Sequence, residues 1–240
     1  MKRFPWIFTA LWLAVLSVML WAGFWQLDRA AQKESINERL ADEQFQMPQT
    51  QKQWQQLVAF NRIRTTGEYL DTHLILDNQI MDGQVGHFIF TVFKTINNQI
   101  ILVNRGWTDN DIQPLDVTRD TQEITALVAD WPRPGIQLGE QSVQLQARQN
   151  LTYMPVEKIN QLITARHCPL PNGGACVILP QVLKLDPGMA HGFERNWQLP
   201  RMTVAKHQGY AAQWFTMSLV LCFAYGVFLK KTYFNASTEE

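Results

Sequence analysis

The sequence contains little charge and no excess of either sign. Charged residues make up 18% of its 240 residues, and 21 Lys and Arg balance 21 Asp and Glu. Proteins that bind DNA or RNA usually present a basic face to the phosphates, so this balance argues against a nucleic-acid partner. Common enzyme motifs are also missing, namely GxSxG, the phosphate-binding P-loop, HExxH and the dinucleotide-binding glycine pattern. We therefore expect that the protein is not an enzyme.

The chain has only three cysteines, which limits its disulfide and metal chemistry. Cys222 lies in a long apolar run and is most simply a small packing residue. Cys168 and Cys176 flank a turn-rich loop of sequence PLPNGGA. In a domain outside the cytoplasm they would form a disulfide that closes this loop. A metal site that combines them with His167 is the alternative, but no fourth ligand is evident.

Long apolar runs near both ends are the main feature that the sequence does have. Phe4–Trp25 and Ala211–Leu229 contain no charged residue. An α-helix rises about 1.5 Å per residue, so about 20 apolar residues cross the hydrocarbon core of a bilayer. The first run is too long for a cleaved signal peptide and ends in bulky aromatic side chains, and Lys230–Lys231 end the second as they would end a membrane span. We predict transmembrane helices at residues 4–25 and 210–229.

The charges beside these runs predict their orientation. Lys2–Arg3 precede the first run and Lys230–Lys231 follow the second. The positive-inside rule therefore places both termini in the cytoplasm, although Arg29 and Lys33 beyond the first run oppose it. Residues 26–206 would then form one domain on the outer side of the membrane.

Residue patterns predict a β-rich fold for this domain. The first helix is expected to continue through Leu27–Glu43, and short helices are expected at Gln49–Leu57 and Val156–Thr164. From Phe60 onward the apolar residues recur with a period of two, which is typical of β-strands. The strand candidates are Arg62–Leu70, His73–Asn78, His87–Lys94, Gln99–Asn104 and Glu123–Ala129, with weaker ones at Gln144–Tyr153 and Cys176–Leu179. We predict an α+β membrane protein in which two transmembrane helices bracket a mainly antiparallel sheet, closed into a small barrel or a sandwich.

Residues at the start of the second apolar run suggest a binding site. If the helix begins near Lys206, then His207, Tyr210 and Trp214 lie at positions i, i+3 and i+7 on one face. An imidazole can bind haem iron, and aromatic rings can pack on a porphyrin. The alternative is an interfacial belt in which these side chains only anchor the helix. The residue types by themselves favour the belt.

Five short motifs occur in order along the chain. They are GFWQLDRAAQK at residues 23–33, GEY at 67–69, Gly86 followed by Phe90–Thr91, VNRGW at 103–107 and HQGYAAQWF at 207–215. Their order and the two-helix topology resemble the Surfeit-locus family of cytochrome oxidase assembly proteins over nearly the whole chain. Two departures are visible: Val92–Phe93 stand where the family commonly has a proline, and the loop from Arg166 to Ala175 looks like an insertion.

The resemblance implies a function in maturation of the haem–copper terminal oxidase. Family members act on the haem-bearing large subunit of the oxidase, together with other assembly factors. Bacterial members, in the inner membrane with a periplasmic domain, are linked to haem a binding, and the histidine at the second span is the proposed iron ligand. That residue is His207 here. The resemblance places further candidate cofactor-binding residues near it, namely Trp25, Gln26, Arg29, Tyr210 and Trp214.

Two hypotheses stay open on this resemblance. In the first, the protein is an assembly factor that binds haem a. Arg29 would then neutralise a haem propionate, a role that is our own addition. In the second, the protein is a membrane scaffold that stabilises an oxidase subunit and never binds haem. The strand end at Asn104–Trp107 either orders the fold or contacts haem or the oxidase.

Overall fold

A computed structural model describes residues 6–109, 115, 117–135, 139–168, 177–197 and 203–234. The chain divides into two compact units. One contains residues 1–38 and 199–240, and the other contains residues 39–198.

The first unit is helical. Helix α1 (Trp6–Ala41) and helix α4 (Val204–Leu229), which continues as a π-helical segment at Lys230–Phe234, are long and apolar enough to cross a membrane. Helix α1 continues past the apolar run to Ala41, as predicted, because the residues that follow are strong helix formers without Gly or Pro.

Helices α1 and α4 pack against each other in antiparallel orientation. At one end, the ring of Trp12 stacks on Tyr225 with centroids 4.3 Å apart, and the Thr9 hydroxyl lies 2.6 Å from the Tyr225 hydroxyl. Further along, a Cβ added to Gly23 would lie 2.7 Å from the ring of Phe215. A side chain at this position would displace the Phe215 ring, so glycine permits the close packing seen here, as is common between membrane helices.

The second unit is a small β-barrel with two helices. Its strands are β1 (Arg62–Met81), β2 (Gln84–Thr95), β3 (Gln99–Thr108), β4 (Gln122–Ala129), β5 (Arg148–Leu151) and β6 (Val177–Leu185), and its helices are α2 (Gln51–Gln56) and α3 (Val156–His167). The strand order is β2-β3-β6-β4-β1, and β1 also pairs with β2, which closes the ring. Pairs β1–β5 and β3–β6 are parallel, and the others are antiparallel. The sheet is therefore mainly antiparallel, as predicted, and it forms a barrel.

Strand β1 corrects one prediction. The two strands predicted at Arg62–Leu70 and His73–Asn78 are a single strand of 20 residues. Its first part pairs with β4 up to Gly67, and its second part pairs with β2 from Gly67 onward, with a register shift between Tyr69 and His73. No Gly or Pro lies between Tyr69 and His73 to end the strand, so the chain bends at an irregularity and continues.

Two apolar clusters cover the two faces of the barrel wall. Ile101 and Val103 of β3 belong to the cluster that all five ring strands share, inside the barrel. Ile100 and Leu102 belong to the second cluster, which includes the buried face of α3. Strand β3 is buried on both faces, which explains its continuous apolar sequence.

Candidate functional site

His207 lies in the first turns of α4 and faces α1. The helix begins at Val204 after the N-cap residue Thr203, two residues earlier than predicted. Only 6% of His207 is exposed, and its Nδ1 atom lies 2.8 Å from Oε1 of Gln26 on α1. The structure therefore joins two sequence-predicted site residues, one from each terminal helix.

Small residues bring the two helices together around this hydrogen bond. Ala22 and Gly23 are buried on α1, and Ala211 is buried on α4 one turn after His207. Because these side chains are small, the short gap between the helices can be bridged by one glutamine side chain.

His207, Tyr210 and Trp214 lie at the predicted spacing on α4, but they are not equally buried. His207 is buried, whereas 46% of Tyr210 is exposed and Trp214 is half-buried. Successive α-helical residues are rotated by about 100°, so Tyr210 lies about 60° away from His207 around the helix. That rotation is enough to take Tyr210 out of the helix contact.

Trp25 and Arg29 form a pair on the exposed surface of α1. The Arg29 guanidinium carbon lies 5.5 Å from the centroid of the Trp25 ring, and 42% of Trp25 is exposed. Nη1 of Arg29 also donates a hydrogen bond to Oε1 of Gln32 at 2.8 Å. These contacts hold the cation along its own helix, one turn beyond the level of Gln26.

Helix geometry places these exposed groups on one side of the helix pair. Around the axis of α1, Arg29 is rotated by about −60° from Gln26. Around the axis of α4, Tyr210 is rotated by about the same angle from His207. In antiparallel helices, equal rotations from facing residues point to the same side. On the other side, the rings of Phe24 and Phe215 meet edge to face, with centroids 5.3 Å apart. One side of the Gln26–His207 contact is thus filled, and the other carries an exposed cation and exposed rings.

The chemistry of these groups fits a haem better than a bare metal ion. Among the described residues, no group of three or more His, Cys, Asp or Glu side chains could hold a metal ion. A haem iron already has four ligands from its porphyrin and needs only an axial side chain. Nε2 of His207 makes no hydrogen bond with any described residue, and Tyr210 and Trp214 follow within the next two turns of α4.

A comparison with known protein families identifies the chain. The model of the SURF1 family matches residues 13–219. The chain belongs to the SURF1 family. That family is associated with cytochrome oxidase assembly, and the matched region includes most of both terminal helices and the whole barrel.

Curated SURF1-like proteins from Rickettsia species share part of the sequence. The protein from Rickettsia felis is 29% identical over 105 residues, which is 41% of this chain and 45% of that protein. The protein from Rickettsia bellii is 26% identical over 154 residues, which is 61% of this chain and 57% of that protein. The chain thus spans about half the length of the curated relatives that it matches.

The VNRGW motif of this SURF1-family chain has a structural role inside the barrel. Only 3% of Arg105 is exposed, and its Nε and Nη1 atoms donate to the backbone oxygens of His191 at 2.6 Å and Leu115 at 2.9 Å. Its guanidinium lies over the rings of Tyr69 and Phe193, and burial lowers the pKa of Arg105 to about 10. A side chain buried in this way orders the fold, which favours that alternative over contact with haem or the oxidase.

Gly106 follows Arg105 in strand β3. Its φ angle is +120°, and a Cβ there would lie 2.6 Å from the backbone oxygen of Glu194. Trp107 exchanges backbone hydrogen bonds with Glu194. The motif therefore attaches the segment around Glu194 to the end of β3. Sequence reasoning missed this partner segment, which lies almost 90 residues further along and carries no strand pattern.

The cysteine predictions are only partly within the described residues. Cys168 is disulfide-bonded, but its predicted partner Cys176 lies outside the described residues, so the pairing stays a prediction. Nε2 of His167 lies 2.8 Å from the hydroxyl of Thr72, and burial lowers the pKa of this imidazole. A disulfide-bonded Cys168 cannot supply the thiolate that the alternative metal site would need.

Proposed function

We propose that the protein assists assembly of a haem–copper cytochrome oxidase by binding haem a beside its two terminal helices. His207 would be the axial iron ligand. The observation that carries the proposal is the bond between Nδ1 of His207 and Gln26, because it orients an imidazole whose Nε2 has no hydrogen-bond partner among the described residues. Bound in this way, haem a would be held for transfer to the large subunit of the oxidase.

Exposed side chains beside His207 support the proposal. The rings of Trp25 and Tyr210 would pack on an apolar macrocycle, and Trp214 lies on the same face of α4. Arg29 would provide a charge-assisted hydrogen bond to a propionate once its contact with Gln32 is exchanged.

The location in the membrane is part of the proposal. Both helices are long and apolar enough to span the inner membrane of a bacterium, and basic residues stand at the two chain ends. We infer that both termini are cytoplasmic and that the barrel is periplasmic. His207 would then lie near the outer face of the membrane, in reach of the periplasmic part of the oxidase subunit.

A visible absorption spectrum tests the proposal directly. The protein is purified in nanodiscs from cells that make haem a, and its haem content is compared with that of His207→Ala. His87→Ala is the control, because His87 pairs with Asp77 on the barrel instead. We expect haem a in the wild type and the control and its loss in His207→Ala. A wild type without haem, or a variant with equal haem, would exclude the proposal.

A scaffold function without haem is the second candidate. One observation favours it: Ile80 and Val85 form a directly opposed pair near the tip of the β1–β2 hairpin, and they are 70% and 55% exposed. A contiguous exposed apolar patch is a typical mark of a protein contact, and in this candidate the pair would be part of one. This candidate predicts that the oxidase large subunit co-purifies with His207→Ala as well as with the wild type, and that Ile80→Asp abolishes the association.

A further inference from the structure

We infer that Gln26 is a positioning residue that fixes the tautomer and the orientation of the His207 imidazole, so that Nε2 is the ligating nitrogen. The ligating role of Nε2 rests on the proposed function. The structural basis of the inference is independent of haem, because it concerns which nitrogen of His207 carries the proton.

The argument begins with the chemistry of the bond between the two side chains. Nδ1 of His207 faces Oε1 of Gln26 at 2.8 Å. An amide oxygen only accepts hydrogen bonds, so Nδ1 must be the donor. A neutral imidazole carries one ring proton, and Nε2 is therefore left with the lone pair that binds iron.

Burial makes this arrangement durable. His207 is 6% exposed and Gln26 is half-buried, so water competes weakly for their hydrogen bond. The contact of Gly23 with Phe215 lies one turn away on α1 and keeps the two backbones close. The ring orientation is then set by the packing of the two helices, before any ligand arrives.

Partners of this kind also tune metal ligands. A metal-binding histidine usually donates its second ring N–H to a carbonyl or carboxylate oxygen, and loss of that partner typically weakens metal binding by about 10–100-fold. A neutral amide leaves the ring a neutral imidazole. A carboxylate in its place would draw the Nδ1 proton away, make Nε2 more basic and favour ferric over ferrous iron.

The haem-free protein tests the tautomer. The full chain, labelled with ¹⁵N in the histidine rings, is reconstituted in liposomes at pH 8, where an ordinary imidazole is neutral. Solid-state NMR spectra of the wild type and His207→Gln are subtracted to isolate His207. We expect a protonated Nδ1 and an unprotonated Nε2. A protonated Nε2 in the wild type would overturn the inference.

Variants of Gln26 test the positioning role. Gln26→Leu should mix the two tautomers in the haem-free protein and weaken haem binding by about 10–100-fold. Gln208→Leu is the matched control, since Gln208 follows His207 directly but is exposed. Gln26→Glu should restore binding and move the haem reduction potential to a more negative value. Unchanged affinity in Gln26→Leu would contradict the inference.

These experiments distinguish a failure of the proposed function from a failure of the role of Gln26. If His207→Ala keeps its haem, the proposed function is wrong. If His207→Ala loses haem but Gln26→Leu keeps both the tautomer and the affinity, the function stands and the role of Gln26 is wrong.

Discussion

The guanidinium of Arg105 lies against the face of the Tyr69 ring inside the barrel, 5.8 Å from its centroid. Both side chains are almost fully buried. Burial raises the pKa of Tyr69 to about 12 and lowers that of Arg105 to about 10, because each charged form loses its hydration. This pair determines how the barrel responds to mutation and to alkaline pH.

Replacement of Arg105 should destabilise the barrel. Arg105→Met keeps most of the volume but leaves the backbone oxygen of Leu115, which is buried, and that of His191, which is partly buried, without their donors. We expect this to cost about 2–4 kcal/mol of unfolding free energy. The measurement is guanidinium-induced unfolding followed by tryptophan fluorescence. Arg119→Met is the control, since the side chain of Arg119 is 76% exposed. Equal midpoints for the two variants would show that Arg105 does not hold the barrel end.

Removal of the Tyr69 hydroxyl should have little effect at neutral pH. That oxygen is buried and has no hydrogen-bond partner among the described residues, so Tyr69→Phe deletes an unsatisfied group and keeps the ring. We expect an unfolding midpoint at pH 7 equal to or above that of the wild type. A loss of more than about 1 kcal/mol would indicate a partner for the hydroxyl.

At high pH, Tyr69→Phe should be more stable than the wild type. The folded state keeps the Tyr69 proton up to about pH 12, whereas the unfolded chain releases it near pH 10. The folded state therefore binds more protons in this window, and the stability that Tyr69 contributes falls as the pH rises from 10 to 12. Thermal unfolding at pH 7 and pH 11 measures the difference. The stability advantage of Tyr69→Phe over the wild type should be larger at pH 11 than at pH 7.

The close helix contact at Gly23 should tolerate no large side chain. Gly23→Ile would force the ring of Phe215 away and separate α1 from α4. Dipolar broadening in EPR spectra, between spin labels on Cys222 and on an introduced Leu11→Cys, should weaken. Gly226→Ile is the matched control because nothing lies within 4 Å of a Cβ there. Equal broadening in both variants would mean that this contact does not set the helix separation.

Thiol counting tests the predicted disulfide. Cys222 is free and exposed, and Cys168 is disulfide-bonded. Protein folded in the periplasm and denatured without reductant should therefore react with one maleimide per chain, and with three after reduction. Three modifications before reduction would exclude the Cys168–Cys176 pair. Mass spectrometry of the digested protein identifies the modified residue.

Local patterns in the sequence were enough to find most elements. The two apolar runs became α1 and α4, and the hairpin of β2 and β3 formed where β-branched residues flank Asn97–Asn98. The continuity of β1 was missed because a bend at a register shift has no residue signature. The parallel pairing of β3 with β6 was missed because it depends on packing across 70 residues or more.

The candidate site was only half predictable. The motifs identified His207 and Gln26 separately, but their hydrogen bond joins residues 181 positions apart and follows from the antiparallel contact of two helices. The exposed position of Tyr210 follows from that same contact. Periodicity places side chains on a helix, and only tertiary packing decides which of its faces is covered.

The position of β6 in the barrel sets an order of events during synthesis. It is the last strand among the described residues, yet it lies between β3 and β4, so every earlier chain length leaves both of those strands with an open edge. Helix α4 begins at Val204, soon after β6 ends at Leu185. If α4 spans a membrane as proposed, barrel closure and insertion of this helix fall at nearly the same moment of translation. A truncation just before that point would leave β3 and β4 each with an unpaired edge, and we expect such a chain to be a target for proteolysis.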